Sequence, residues 1–377
     1  MSVALLDEGK AVAITLEGRR YRFHAIWLRD NALDPATRSP GNGQRLITLH
    51  DIPADTRIAA ADWTDAGLRV CFAPEHKQVT FPARWLLRHA YDRPAPSQTG
   101  WTSPAITRWD ATDADRFAVA DWREVCNDPE VRLDWLRSIA RHGFARLRGV
   151  PVAHGMPATI AALFGYVRET NYGRIFDVRA EVNPANLAYT NLGLQAHTDN
   201  PYRDPAPGLQ VLACLHNDVA GGDSVVVDGF AVAGRLLAED PQGFALLAAH
   251  NACFEYAGTP GVRLGAQRPL IELGPDGELL AVRFNNRSAA PFSAVPYDRM
   301  ADFYRAYRRM AEWIDDPALA VRFRLAPGEA FVVDNLRVLH ARTAITSAGM
   351  RHLQGCYADR DGLLSCIAAL EEDRAGA

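Results

Sequence analysis

The residues best suited to chemistry in this 377-residue chain are a His-x-Asp triplet, His197-Thr198-Asp199, and a second histidine, His340. His340 lies within Phe331-Val-Val-Asp334-Asn335-Leu-Arg-Val-Leu-His340-Ala-Arg342. Two imidazoles and one carboxylate on a metal leave three coordination positions open, the donor set of a non-haem Fe(II) centre. A bare His-x-Asp arises often by chance, and a lone histidine is more often a hydrogen-bonded structural residue, so the neighbours must decide. Eleven residues past His340 stands Arg351. Its rigid guanidinium fork binds a carboxylate bidentately, as lysine cannot, which is what a dicarboxylate beside the metal would require. Gly221-Gly222-Asp223-Ser224 and Asp228-Gly229-Phe230 are turn and strand signals carrying polar groups; the glycine pair has no phosphate-loop pattern.

The elements that must position these residues read as many short strands. Val12–Gly18 and Arg20–Trp27 form a predicted hairpin, Gly67–Phe72 and Gln78–Phe81 are strands, and a short helix lies around Trp85–His89. Asp34–Gly43 is punctuated by Pro and Gly and must be loop. Asp92–Gly100, rich in Pro and Ser, reads as a linker and sets a boundary near residue 95. Beyond it, Leu133, Leu136, Ile139 and Ala140 share one helical face that Gly143 ends, and Phe144–Val150 alternates as a strand. Pro157–Val167 reads as a helix. From about 185 to 285 the pattern is short strands, clearest at Leu209–Leu215, Asp223–Asp228 and Leu279–Phe284, and one helix intrudes at Tyr297–Ile314. Ala330–Asp334 is a strand leading to His340. This pattern predicts an α+β, mainly β chain. A small β-rich domain (1–95) precedes a jelly-roll domain (96–377), a barrel able to hold a ligand in its mouth.

Composition excludes several classes. The chain is 48% apolar and 23% charged, with a net charge of −4, which argues against a general nucleic-acid surface or a polybasic membrane patch. No stretch approaches the roughly 20 apolar residues of a spanning helix. The N-terminus carries acidic residues where a signal peptide would be basic and then apolar. The six cysteines are scattered without a Cys-x-x-Cys, as expected of reduced thiols in a cytoplasm.

The motifs together resemble a known family, the Fe(II)/2-oxoglutarate dioxygenases of the taurine dioxygenase type, and within it the enzymes that act on γ-butyrobetaine and other trimethylammonium compounds. The carriers are Trp27-Leu-Arg-Asp-Asn31, Asn186-x-Ala-Tyr189, His197-Thr-Asp199, Pro207-Gly-Leu-Gln210, Gly221-Gly-Asp-Ser224, Val227-Asp-Gly-Phe230, Asp334-Asn335, Leu339-His340 and Arg351-His-x-x-Gly-x-Tyr357-x-Asp359. The resemblance implies Fe(II) on His197, Asp199 and His340, and 2-oxoglutarate on Arg351 with Ser224. O₂ would take the last open position. It also implies a cage for a quaternary ammonium from Tyr172, Phe176, Tyr189 and Tyr357, whose ring faces attract such a cation by roughly 0.5–2 kcal/mol per contact. Opposite the cage, Asn186 and Asn285 match positions that hold the substrate's anionic tail. A homodimer is implied as well.

Two departures qualify the picture. If Phe284-Asn285-Asn286-Arg287 continues a strand, Asn285 and Arg287 share a face. Arg287, where the animal γ-butyrobetaine enzymes have a small residue, then suits a phosphonate better than a carboxylate. The leading expectation is therefore hydroxylation of 2-(trimethylammonio)ethylphosphonate to its 1-hydroxy product, with γ-butyrobetaine hydroxylation as the alternative and a solvated surface arginine as the plain one. Secondly, the family's N-terminal domain carries a cysteine cluster after Trp-Leu-Arg-Asp-Asn. Here Asn31 is followed by no cysteine, and His89 stands without partners, so zinc is not expected. Trp27–Asn31 reads as structural packing between domains. Two further alternatives are a non-enzymic barrel that binds a small ligand and an enzyme acting on a sulfonate.

Overall fold

The computed structural model describes residues 2–92, 98–117, 119–179 and 192–376. The chain divides into two units, Met1–Ser97 and Gln98–Ala377.

The first unit holds two three-stranded antiparallel sheets, Val3–Leu6, Ala11–Leu16 and Arg19–His24 in one, Arg57–Thr64, Gly67–Ala73 and Lys77–Phe81 in the other. Leu68, Val70 and Phe72 alternate inward along the Gly67–Ala73 strand, as a half-buried strand requires, and join Val12, Ile14, Phe23 and Leu28 in one core. The predicted hairpin is present, but its second strand stops at His24, and Trp27 sits in the Ala25–Asp30 helix. Trp27 packs on Phe23, Trp85 and Tyr91 of the same unit. Arg29 is buried and grips Glu75 with two hydrogen bonds of 2.6 and 2.7 Å. Asp34 accepts from Lys77 and Thr37, so one ion pair and one hydroxyl hydrogen bond hold the loop after Asn31. The His89 ring lies on Trp85, and its Nδ1 donates to the Trp85 carbonyl.

The second unit holds two strand pairs, Asn251–Tyr256 with Leu264–Pro269 and Ile271–Leu273 with Leu279–Val282, and a jelly roll of two main sheets. The larger runs Phe176–Val178, Arg351–Ala358, Leu209–Asn217, Ala330–Asp334, Phe144–Arg148, Val119–Asp121, with Val167–Arg168 beside Arg351–Ala358. The smaller runs Leu194–His197, Val338–Arg342, Ser224–Asp228, Ala320–Phe323. Period-two alternation sorts the side chains. Leu212, Cys214, Phe331, Val333 and Leu353 of the larger sheet meet Val226, Val321 and Val338 of the smaller in a single core between them. Val211, Ala213, Val332 and Cys356 face the other way, against the helices Pro129–His142 and Met156–Ala161. Val227 and Leu339 likewise face outward onto the helices Gly229–Glu239, Pro241–Ala249 and Tyr297–Ile314. Fully burying each of these aliphatic or aromatic side chains contributes about 1.5–3 kcal/mol. Among the described residues no helix is long and apolar enough to cross a membrane.

The structure corrects several expectations. Residues 229–249 form two helices where strands were expected. Asp228 caps the first by accepting from the Phe230 amide and Asp240 caps the second, with Pro241 in its first turn. The run Gly229-Phe-Ala-Val-Ala-Gly is apolar all round and shows no stripe to betray a helix. The Pro157–Val167 helix shrinks to Met156–Ala161, and the Arg360–Gly376 helix was not anticipated. The Leu279–Phe284 strand stops at Val282, because the Val282 and Arg283 amides turn to the Leu336 and Leu270 carbonyls.

Candidate active site

Cross-strand register brings the chemistry together. His197 and His340 are paired residues on neighbouring strands of the smaller sheet, which sets their rings 4.3 Å apart. Asp199 follows the first strand by two residues. The intervening Thr198 is held by the Phe284 carbonyl (2.8 Å) and by the Asn285 amide (3.0 Å). Asn335 brackets the backbone of Asp199, accepting from its N–H (2.6 Å) and donating to its carbonyl (2.9 Å). The carboxylate lies 3.3 Å from His197 Nε2 and 3.7 Å from His340 Nε2.

These three residues are the grouping of His, Cys, Asp and Glu ligand atoms that could hold a metal among the described residues, all within 4.8 Å of one another. The donor chemistry fits a cation. His197 Nδ1 sits 2.7 Å from the Gln195 carbonyl, which can only accept, so the neutral ring carries its proton there. Nε2 then presents a lone pair to a carboxylate oxygen, and a cation between the two removes that repulsion. Burial, followed by the charge of His197, pushes His340 down to about 3, so its imidazole stays neutral and able to ligate. Burial acts to raise the Asp199 carboxyl, but the two histidines and the Tyr357 hydroxyl outweigh it and hold the carboxyl well below its ordinary range. A metal–ligand set must be deprotonated in this way.

A cavity of about 410 Å³ opens beside the triad. Arg351, Leu353 and Tyr357 point into it from one strand at period two. Arg351 is 6% exposed, makes no ion pair among the described residues, and its Nε has no hydrogen-bond partner. Burial and then Arg342 lower it to about 10. A desolvated cation without a counter-charge is costly, so this corner fits an anionic ligand. Ser224 lines the same cavity from the strand carrying Val226. Gly222, at φ +67°, makes room for Arg351: a Cβ there would lie 3.0 Å from the arginine's Cδ.

The aromatic wall is larger than the sequence indicated. Tyr172, Phe176 and Tyr357 line the cavity as expected, and Tyr202 and Tyr256 join them. Tyr202 stacks on Tyr256 with centroids 5.1 Å apart, Tyr172 stands edge-on to Tyr256 at 5.7 Å, and Phe176 lies 5.0 Å from Tyr357. Gly355 allows the last contact, since a Cβ would approach the Phe176 ring to 2.6 Å. Asn186 and Tyr189 lie outside the described residues.

Asn285 and Arg287 both line the cavity. They do so from a turn rather than on one face of a strand. The Asn285 side chain spends its oxygen on the Arg287 and Ser288 N–H groups and donates one amide N–H to the Thr198 carbonyl. Arg287 is not a surface arginine: burial lowers its pKa, and its Nη1 is buried with no partner. The buried Asn200 also faces the cavity with its Nδ2 unpaired while its Oδ1 accepts from Tyr202 (2.6 Å). Gln210, Asn335 and Asn200 went without a role in the sequence reading. The first two stand inside quoted motifs, and the third directly follows a ligand, so adjacency was the signal.

Comparison with known proteins gives the class. Residues 105–357 match the family described as taurine catabolism dioxygenase TauD, TfdA family. The chain is 36% identical over 356 residues to a γ-butyrobetaine dioxygenase of Pseudomonas sp. (strain AK-1), covering 94% of this chain and 92% of that protein. It is 30% identical over 383 residues to a trimethyllysine dioxygenase of Meyerozyma guilliermondii, covering 97% and 95%. Among solved structures, an asparagine oxygenase in complex with Fe(II), hydroxyasparagine and succinate aligns with a TM-score of 0.48 at 20% identity, over 63% of this chain and 82% of that one. The chain belongs to the TauD/TfdA family. It is an Fe(II)- and 2-oxoglutarate-dependent dioxygenase, which removes the non-enzymic barrel from consideration.

Proposed function

We propose that the protein hydroxylates a small trimethylammonium zwitterion, with γ-butyrobetaine the first candidate. The observation that carries this is the chamber of five aromatic rings, Tyr172, Phe176, Tyr202, Tyr256 and Tyr357, next to the His197–Asp199–His340 group. Ring faces attract a quaternary ammonium, which offers no hydrogen bonds for carboxylates or carbonyls to satisfy. A primary ammonium, as in an aminosulfonate, would leave those donors unmet. The printed activities of the two relatives, on γ-butyrobetaine and trimethyllysine, support the same class.

In this reading His197, Asp199 and His340 hold Fe(II), and Arg351 with Ser224 holds the distal carboxylate of 2-oxoglutarate. The metal and 2-oxoglutarate, when bound, would activate O₂, the oxidant, with one oxygen atom going into the substrate C–H bond and the other into succinate as CO₂ is lost. The protein's own part is placement. The aromatic wall seats the cation, polar groups at Asn200 and Arg287 take the anion, and the carbon chain between them lies beside the triad. Homodimerisation belongs to the same proposal and is read by sedimentation.

A second reading, hydroxylation of 2-(trimethylammonio)ethylphosphonate, rests on Arg287 and Asn200. Each keeps a buried donor unpaired at the cavity, and a phosphonate has an acceptor oxygen more than a carboxylate. Parallel turnover with γ-butyrobetaine, trimethyllysine and the phosphonate, following succinate and hydroxylated product, separates the readings. γ-Butyrobetaine is expected to give the highest kcat/KM. A wide margin for the phosphonate would move the assignment to the second reading, and no turnover of any of the three would overturn both.

A further inference from the structure

Gln210 closes the Pro207-Gly-Leu-Gln210 motif, and no step described so far uses it. It is 2% exposed and directly opposite Tyr357 on the neighbouring strand of the larger sheet. Both side chains face the cavity and converge on a single atom. Gln210 Nε2 donates to Asp199 Oδ2 at 2.7 Å, and the Tyr357 hydroxyl donates to the same Oδ2 at 2.8 Å. The opposite orientation of the Gln210 amide would put its carbonyl oxygen against the carboxylate, so the direction of this donor is fixed by charge. Each carboxylate oxygen offers about two lone-pair sites, and two donors fill those of Oδ2. Oδ1 is left, 3.3 Å from His197 Nε2, while the doubly hydrogen-bonded Oδ2 is the oxygen on the His340 side, 3.7 Å from its Nε2.

We propose that Gln210 and Tyr357 form a two-donor clamp that makes Asp199 a one-oxygen ligand through Oδ1, with Gln210 as a positioning residue for the metal. Asn335 already fixes the Asp199 backbone, so the clamp governs only rotation of the carboxylate. Without it the carboxylate can turn to offer both oxygens and occupy a position needed by the cosubstrate or O₂. Tyr357 also stands in the aromatic wall, 5.0 Å from Phe176, so the same phenol touches the metal ligand and the substrate chamber.

The inference rests on the metal assignment above, and its test separates the two. Co(II) is titrated into the metal-free full-length protein, by absorption and chelator competition. The variants are Gln210→Met, which keeps the shape and removes the donor, Tyr357→Phe, their double variant, and Asp199→Ala. Removing an outer hydrogen bond to a metal ligand typically costs 10–100-fold in affinity, so each single variant is expected to weaken Co(II) by about that factor with a shifted ligand-field spectrum. The double variant should lose less than the product of the singles, since both act on one oxygen. If both singles bind within about twofold of wild type with its spectrum, well under that range, the clamp is wrong while the metal site stands. If wild type binds no Co(II), or Asp199→Ala binds as well as wild type, the metal assignment itself fails. Should Gln210→Met not fold, Tyr357→Phe alone decides.

Discussion

Two buried arginines divide the second unit into regions of opposite character. Arg337, 2% exposed, stands just before the strand that carries His340 and is saturated. It meets Asp228 at 3.0 and 2.8 Å and donates to the carbonyls of Arg141 and Thr107. Arg351, 6% exposed, makes no ion pair among the described residues and faces a cavity. Both charges are withdrawn from water, yet only one is compensated by the fold. A saturated cation belongs to the scaffold; an uncompensated one marks where the protein expects a partner.

That contrast can be broken at several points. The largest effect is expected from the ligands: Asp199→Ala or His340→Ala abolishes succinate formation while leaving the circular dichroism spectrum intact. Arg337→Met strands Asp228 and should lower unfolding stability by about 3–5 kcal/mol in urea titration. Arg351→Met should leave stability unchanged or raise it, and instead weaken 2-oxoglutarate by about 2–5 kcal/mol, read as KM and as ligand-induced thermal shift. Equal stability losses for the two would erase the distinction. Arg287→Ala should cost a phosphonate more than a carboxylate, up to about 1.5–3 kcal/mol for a lost charged hydrogen bond; equal losses mean that Arg287 does not read the extra charge.

The last comparison concerns pH. In the metal-free protein His340 titrates near 3 against an ordinary 6.5. Between those values the unfolded chain binds the extra proton, so its contribution is full above 6.5 and is lost as pH falls toward 3. The melting temperature of the metal-free protein should decline over this interval, and His340→Gln should flatten the decline.

Much of this was legible in the sequence. Tyr297–Ile314 and Ala330–Asp334 carry their periodicities openly, and His197, Asp199, His340 and Arg351 named the chemistry once the motifs around them were seen to resemble the family. What failed did so for physical reasons. The helix Gly229–Glu239 opens on six apolar or small residues, and the polar residues that mark its outer face, Arg235 and Glu239, come only after them. The turn at Asn285–Arg287 depends on Asn285 binding the Thr198 carbonyl, 87 residues away in sequence.

The sequence by itself determined the reactive groups and their order, because ligand type and strand periodicity are local properties. Only the tertiary structure decided what each group would meet. It placed Tyr202 and Tyr256 in the aromatic wall, turned Gln210 and Asn335 onto Asp199, and satisfied Arg337 while leaving the Nε of Arg351 and the Nη1 of Arg287 without partners among the described residues. Register between strands far apart in the chain sets these distances, and no local pattern encodes which residues will face each other across a sheet.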